Sequence, residues 1–164
     1  MKIGNTKFKK HPTMPGFWIA GGFGSDDVIE QRARAINALQ LADGCTAVCG
    51  RKDEDESYLL YLVPHSNPVD VARFFKVGSC GGYSDCDDSA EALKVIDLVN
   101  RKAEIVPYFA DTNGFKFVFR DGLDFSLPAF LEKVITVGAE AMMDAEGKIG
   151  STILGRGFVH LWWD

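Results

Sequence analysis

Apolar residues in the first half of the chain follow first a helical spacing and then an extended one. The helical stripe consists of Ile29, Ala33, Ile36 and Leu39. Ser25, followed by two aspartates, is suited to begin this helix, because its hydroxyl can cap the helix and acids favour the positive end of the helix dipole. The short apolar runs 45–49 and 57–63 predict two strands, and Asn67-Pro68 predicts the start of a second helix.

The second half of the chain repeats this order of elements. Its helical stripe consists of Ala92, Ile96, Val99 and Ala103. The apolar run 104–109 predicts a strand that ends in the turn Asp111–Gly114. The next strand has one aromatic face, formed by Phe115, Phe117 and Phe119. Ser126 and Pro128 predict the start of a fourth helix, which carries apolar residues as far as Ala141.

The matching order of elements indicates a degenerate internal repeat. A Gly-Gly-aromatic turn precedes an Asp-Asp pair in each half, and the two pairs lie 61 residues apart. The prolines that open the later helices, Pro68 and Pro128, lie 60 residues apart. We therefore predict two βαββα units, at 17–76 and 77–143. Chance recurrence of such short strings is the competing explanation.

The whole chain, 1–164, is predicted to form one domain, because neither unit can bury its hydrophobic face alone. We expect an α+β fold with a largely antiparallel sheet and about four helices, built from the two units and a closing strand at 157–164. Trp162 and Trp163 are adjacent in that strand and therefore point to opposite faces. One is predicted to pack inward and the other to anchor an interface. The alternative is that helices cover both.

The charge and composition of the chain narrow its possible functions. The chain has 18 basic and 23 acidic residues, and its net charge of −5 argues against binding to nucleic acid or to an anionic membrane surface. The chain contains no run of about 18 apolar residues, so no membrane span is predicted. The N-terminus also lacks the apolar core of a signal peptide. We therefore expect a cytoplasmic protein whose four cysteines are reduced thiols.

Acidic residues are concentrated in three short segments that could meet in space. They are Asp26, Asp27, Asp53, Glu54, Asp55, Glu56, Asp87 and Asp88. If the two units face each other, these acids form one acidic face, which suits a basic protein partner. A Mg²⁺ or Ca²⁺ site on the same oxygens and a merely solvated surface are the alternatives. Since no calcium-loop spacing is present, we predict no metal ligands.

The thiols and imidazoles form no recognisable catalytic set. Cys45 and Cys49 are predicted to face the same side of one strand and match the spacing of zinc ligands only loosely. Cys80 and Cys86 do not match it, so buried thiols are the simpler interpretation. His160 alternates with apolar residues in the last strand and is expected to be half-buried. We predict no catalytic residues and no cofactor.

Several short motifs from Gly81 onward form a pattern that extends over about half of the chain. They are Gly81-Gly82-Tyr83, Cys86, Ala103-Glu104-Ile105-Val106, the Phe115–Phe119 strand, Glu140, Asp144, Gly147 and Leu161-Trp162-Trp163-Asp164. In this pattern the chain resembles a family of uncharacterised bacterial proteins known as a domain of unknown function. That family tends to have Pro after the Cys, whereas Asp87 follows it here. The resemblance implies a small bacterial cytosolic protein and no particular activity.

Two classes of function are consistent with these observations. The leading hypothesis is a non-catalytic protein-binding module with an acidic binding face, of which a bacterial toxin-immunity or inhibitor protein is one concrete form. The acidic segments, the aromatic closing strand and the lack of a catalytic set favour it. The alternative is a small metal-assisted hydrolase, or a ligand-binding sensor, with its site between the two units.

Overall fold

A computed structural model of the chain describes residues 1–41, 44–52, 56–79, 89–121, 129, 140–141 and 158–163. Three helices lie within these residues: α1 (Asp26–Ala38), α2 (Pro68–Phe74) and α3 (Ser89–Lys102). The strands are β1 (Lys2–Ile3), β2 (Thr6–Lys7), β3 (Lys9–Lys10), β4 (Trp18–Ala20), β5 (Thr46–Gly50), β6 (Leu59–Val63), β7 (Ile105–Ala110), β8 (Gly114–Phe119), β9 (Glu140–Ala141) and β10 (Val159–Trp162). The α+β class is confirmed.

The main sheet is mixed, with the strand order β3-β4-β6-β5-β7-β8-β10-β9. The hairpins β5–β6 and β7–β8 are antiparallel, but β5 and β7 run parallel at the centre of the sheet, with Cys49 opposite Phe109 and Gly50 opposite Ala110. The expectation of a largely antiparallel sheet with about four helices is therefore corrected: the sheet is mixed, with a parallel pair at its centre, and the described residues contain three helices. Antiparallel neighbours can be joined by a short turn, whereas a parallel pair needs a long crossover, and here the crossover contains α2 and α3.

The second predicted βαββα unit also needs correction. Its first residues, 77–79, form a turn after α2, and residues 80–88 lie outside the described part of the chain. Most of the fourth predicted helix lies outside the described residues. Ala141, which was placed at its end, belongs instead to the short strand β9, paired with Leu161 of β10.

Helices cover both faces of the sheet. On one face, α1 buries Ile29, Ala33 and Ile36 against strand residues such as Cys49 and Leu62. On the other face, α2 and α3 pack over a larger aromatic core that includes Phe75, Phe115 and Phe117. Since the helix before β5 and the helix before β7 lie on opposite faces, the parallel pair is the place where the winding of the chain changes sides.

The helix ends follow the sequence signals unevenly. Asn67 caps α2 as predicted, because its side chain accepts a hydrogen bond from Val69 N at 3.0 Å. Ser25 precedes α1 but makes no side-chain capping bond. Leu39, which was assigned to the buried stripe, lies beyond the end of α1 and is 67% exposed. Gln40 follows with φ of +49°, in the left-handed region that terminates helices.

The last strand lies inside the sheet rather than at its edge. β10 pairs with β8 on one side and with β9 on the other. Its residues Val159 and Leu161 are buried, and Trp163, directly after it, is 2% exposed. Trp162 is half-buried. Of the two tryptophans, one of which was predicted to point inward and the other outward, Trp163 is thus fully buried and Trp162 is partly buried.

None of the helices in the described residues has both the length and the apolar character that are needed to cross a bilayer.

Candidate functional site

Three polar side chains meet where the parallel strands end. Because Gly50 pairs with Ala110 and with Leu59, the next residues along these strands, Arg51, Asp111 and Tyr58, are brought side by side. We call these three residues the polar cluster. The carboxyl ends of parallel strands at such a change of sides are where α/β sheets commonly hold ligands.

Asp111 is the centre of the polar cluster and is only 6% exposed. Its Oδ2 accepts a hydrogen bond of 2.6 Å from the Tyr58 hydroxyl and lies 3.7 Å from Arg51 Nε. Its Oδ1 accepts backbone hydrogen bonds from Asn113 at 3.0 Å and Gly114 at 2.7 Å. A buried carboxylate is tolerated only when it is paired and hydrogen-bonded, and here both oxygens are engaged.

Tyr58 is fixed in its protonated form by the same contacts. Burial raises the pKa of its hydroxyl, and the hydrogen bond to the Asp111 carboxylate raises it further. The Arg51 guanidinium lies over the Tyr58 ring, 4.8 Å from its centroid. Tyr58 is therefore a hydrogen-bond donor and not a base at neutral pH.

A second row of charged and aromatic side chains lies beside the polar cluster on the α1 face. Lys116 of β8 is opposite both Phe109 of β7 and His160 of β10. Its ammonium group lies 2.6 Å from the Glu30 carboxylate of α1 and 4.5 Å from the centroid of the Phe109 ring. This partly buried ion pair ties α1 to the second half of the sheet.

His160 is held as a neutral imidazole. Burial lowers its pKa to about 4, the nearby Lys116 cation lowers it as well, and Asp111 opposes the shift. Its ring packs against Phe109 and Trp162. Gly114 makes room for this ring, because a Cβ there would lie 3.0 Å from His160 Nε2.

The lowered pKa of His160 predicts that the protein loses stability in mild acid. The pKa in the unfolded chain is about 6.5, so between about pH 6.5 and pH 4 the unfolded state binds the proton that the folded state rejects. This contribution to stability is complete above pH 6.5 and decreases as the pH falls toward 4. The melting temperature of the wild type should therefore fall more steeply over this range than that of His160→Gln. Parallel curves for the two proteins would contradict the assignment.

The Cys49 thiol of β5 is poorly suited to nucleophilic chemistry. Cys49 is buried, and burial together with the negative charges of Glu30 and Asp26 raises the pKa of its thiol. Its Sγ lies 3.9 Å from the backbone oxygen of Asp26. Cys45 packs against the same apolar cluster, so the prediction that both thiols face one side is confirmed. Within the described part of the chain, no three His, Cys, Asp or Glu side chains form a group that could hold a metal ion.

The acidic residues singled out in the sequence are only partly placed. Asp26 and Asp27 are exposed in the first turn of α1, and Glu56 is exposed before Tyr58. Asp26 is close enough to the polar cluster to act on the pKa of Tyr58. Asp53, Glu54, Asp55, Asp87 and Asp88 lie outside the described residues, so the predicted meeting of the two Asp-Asp pairs is not tested. Of the predicted interface tryptophans, Trp163 is buried and Trp162 is half-buried.

Sequence reasoning missed the polar cluster. Arg51 and Tyr58 stand in or beside a charged loop, and Asp111 opens a turn of the Asp-Thr-Asn-Gly type, so each had a local explanation. The signal that could have found them is that each lies at, or within two residues of, the end of an apolar run of strand length. Strands that pair in register bring their flanking residues together.

Comparison of the chain with protein-family models, with curated proteins and with solved structures gives no match, so the resemblance of the second half to a family of bacterial proteins stays a prediction.

Proposed function

We propose that the protein is a non-catalytic binding module that docks a basic protein partner at the end of the sheet where α1 begins. A bacterial toxin-immunity or inhibitor protein is the concrete form we favour. The observation that carries the proposal is the pair Asp26 and Asp27. Both are exposed, and neither forms an ion pair within the described ranges.

The support beneath this pair is rigid. α1 is anchored by three buried side chains and by the Glu30–Lys116 ion pair one turn after Asp26. The polar cluster, with Asp111 held by four neighbouring groups, fixes the adjacent strand ends. Acids presented on a fixed backbone lose little conformational freedom on binding, which favours affinity.

The charge of the chain supports a basic partner. Its net charge is −5, and uncompensated surface acids steer an oppositely charged protein toward the site. The neighbouring groups with possible reactivity do not favour catalysis. Burial raises the pKa of the Cys49 thiol and lowers that of His160, so that neither is a nucleophile or a proton carrier in an open site.

Charge reversal at the start of α1 is expected to weaken partner binding. In Asp26→Lys/Asp27→Lys the association rate should fall about tenfold or more at low ionic strength, because the steering charge is inverted. The dependence of that rate on salt should flatten. Both quantities can be measured by surface plasmon resonance with the partner recovered from the native host by affinity capture and mass spectrometry.

The matched control for this experiment is Asp70→Lys. Asp70 occupies the first turn of α2, on the opposite face of the sheet, so its reversal causes a similar helix-dipole penalty of about 0.3–1 kcal/mol and also breaks the exposed ion pair of Asp70 with Arg73, at 2.6 Å. It should leave binding unchanged. Equal losses from both reversals, or failure to recover any stoichiometric partner, would count against the proposal.

A further inference from the structure

β5 and β7 pair at their carboxyl ends and separate toward their amino ends. β5 and β7 pair only at Cys49–Phe109 and Gly50–Ala110. Farther down, Pro107 has no N–H to donate, so the ladder cannot continue through it. β7 also has a register irregularity between Pro107 and Phe109.

The side chain of Asn37 replaces the missing ladder. Its Nδ2 donates to the backbone oxygens of Ala47 at 2.9 Å and Pro107 at 3.0 Å. Its Oδ1 accepts a hydrogen bond of 2.8 Å from Ala47 N. The last turn of α1 is thus hydrogen-bonded to both β5 and β7, and a cleft lies beside it.

This junction cleft has two lobes, with volumes of about 310 and 280 Å³, that share Asn37, Gln40, Val106 and Arg120. Each lobe is near the lower limit of about 300 Å³ for small-molecule sites. In the larger lobe, Val106 and Val118 form an apolar wall on the sheet beside polar residues of α1. In the smaller lobe the lining includes Cys45, Thr46 and Ser66.

The larger lobe carries one uncompensated positive charge. The Arg34 guanidinium stacks over the rings of Tyr108, at 5.3 Å, and Phe158, at 5.9 Å. No carboxylate pairs with it in the part of the chain that the structure describes. The other arginine of this lobe, Arg120, is paired through Nε with Glu104 Oε1 at 2.6 Å.

We propose that the junction cleft binds a small monocarboxylate with an apolar body. The carboxylate lies on the Arg34 guanidinium, and the body lies against Val106 and Val118. A planar guanidinium that is held by ring stacking presents its N–H groups as a fork that matches a carboxylate. One free cation selects a single negative charge, and the apolar wall selects against a fully polar anion.

This site is separate from the proposed docking surface. Asp26 and Asn37 lie at opposite ends of α1, about 17 Å apart at the rise of 1.5 Å per residue. Binding of a carboxylate and binding of a protein partner can therefore be tested independently.

The test is an NMR titration of the labelled full chain with phenylacetate, and with phenylacetamide as a neutral probe of the same shape. We expect phenylacetate to shift the resonances of Arg34, Gln40, Val106 and Val118, and the amide to bind about tenfold or more weakly, because a hydrogen bond to a charged group is lost. The proposal would be overturned if the resonances of the cleft residues did not shift at about 10 mM phenylacetate, the concentration chosen for the titration. Equal binding of the amide would overturn it as well.

Two variants assign the carboxylate contact. Arg34→Met keeps an apolar stem over the Tyr108 ring but removes the charge, and should weaken phenylacetate about tenfold or more. Arg34→Lys keeps the charge without the fork and should weaken it less. Arg101→Met removes an exposed arginine of α3, which pairs with Asp97, and serves as the control. Unchanged binding in Arg34→Met, in a protein with a native spectrum, would overturn the proposal, as would an equal loss in Arg101→Met.

Discussion

Removal of residues 157–164 is expected to leave a chain that no longer folds cooperatively. The deletion takes away β10, which pairs with β8 along four residues and also with β9. It removes the buried side chains of Val159, Leu161 and Trp163. It also uncovers Phe115 and Phe117, which these side chains help to bury on the face of α2 and α3.

The size of this effect follows from burial. Full burial of one large apolar side chain contributes about 1.5–3 kcal/mol, and the total stability of a domain is about 5–15 kcal/mol. Loss of three such side chains, together with the exposure of two phenylalanines, removes most or all of that margin. Circular dichroism during heating should show no cooperative transition. A soluble truncated protein with an unchanged melting temperature would show instead that β10 is an appendage.

Point variants within the same strand separate packing from the backbone pairing. Trp163→Ala should cost about 3–5 kcal/mol, because it empties a site that is only 2% exposed. Trp163 Nε1 is buried without a hydrogen-bond partner among the described residues, so packing rather than polar contact gives this side chain its contribution. Trp162→Ala, in the half-buried neighbour, should cost less. Equal costs in urea denaturation would contradict the burial assignment.

Replacement of Asn37 is expected to destabilise the protein strongly for a change of a single polar side chain. Asn37→Ala deletes three hydrogen bonds at once and leaves the backbone groups of Ala47 and the oxygen of Pro107 without these partners. Each buried polar group left unsatisfied costs about 1–3 kcal/mol, so we expect a loss of about 3 kcal/mol or more in the free energy of unfolding from urea titration.

Two further variants test whether the geometry of the Asn37 amide is responsible. Asn37→Asp retains the acceptor for Ala47 N but cannot donate to the two carbonyl oxygens, so it should also destabilise the protein strongly. Asn100→Ala is the control, because Asn100 makes one bond to a strand backbone, from Ile105 N at 3.1 Å. It should cost about 1 kcal/mol. A cost for Asn37→Ala no larger than this would mean that the junction does not depend on the amide.

The features that the sequence predicted well are those determined by neighbouring residues. Asn67 followed by Pro68 predicts a helix start from capping chemistry alone, and the cap is present. The alternation of Phe115 and Phe117 with other residues predicts one buried face, and both phenylalanines are fully buried there. The turn at Asp111–Gly114 follows from Asx chemistry, which the structure shows as two bonds to the Asp111 carboxylate.

The features that the sequence did not predict depend on which distant segments of the chain pack against each other. Nothing local to β5 or β7 specifies that they pair in parallel, since each also forms an antiparallel hairpin with its own neighbour. The mixed character of the sheet follows from that one pairing. The polar cluster and the Asn37 bridge are consequences of it as well. Pro107, inside a predicted strand, was the one visible sign that the ladder would be interrupted.

The parallel junction also gives the folding of this chain an order. The hairpins β5–β6 and β7–β8 bring together residues close in sequence, whereas Cys49 and Phe109 are 60 residues apart. Closing that long loop costs conformational entropy, and the cost comes before the contacts between β5 and β7 can stabilise the fold. We therefore expect the two halves of the sheet to form as separate hairpins first. Asn37 can fasten them only in the late step that makes them one structure.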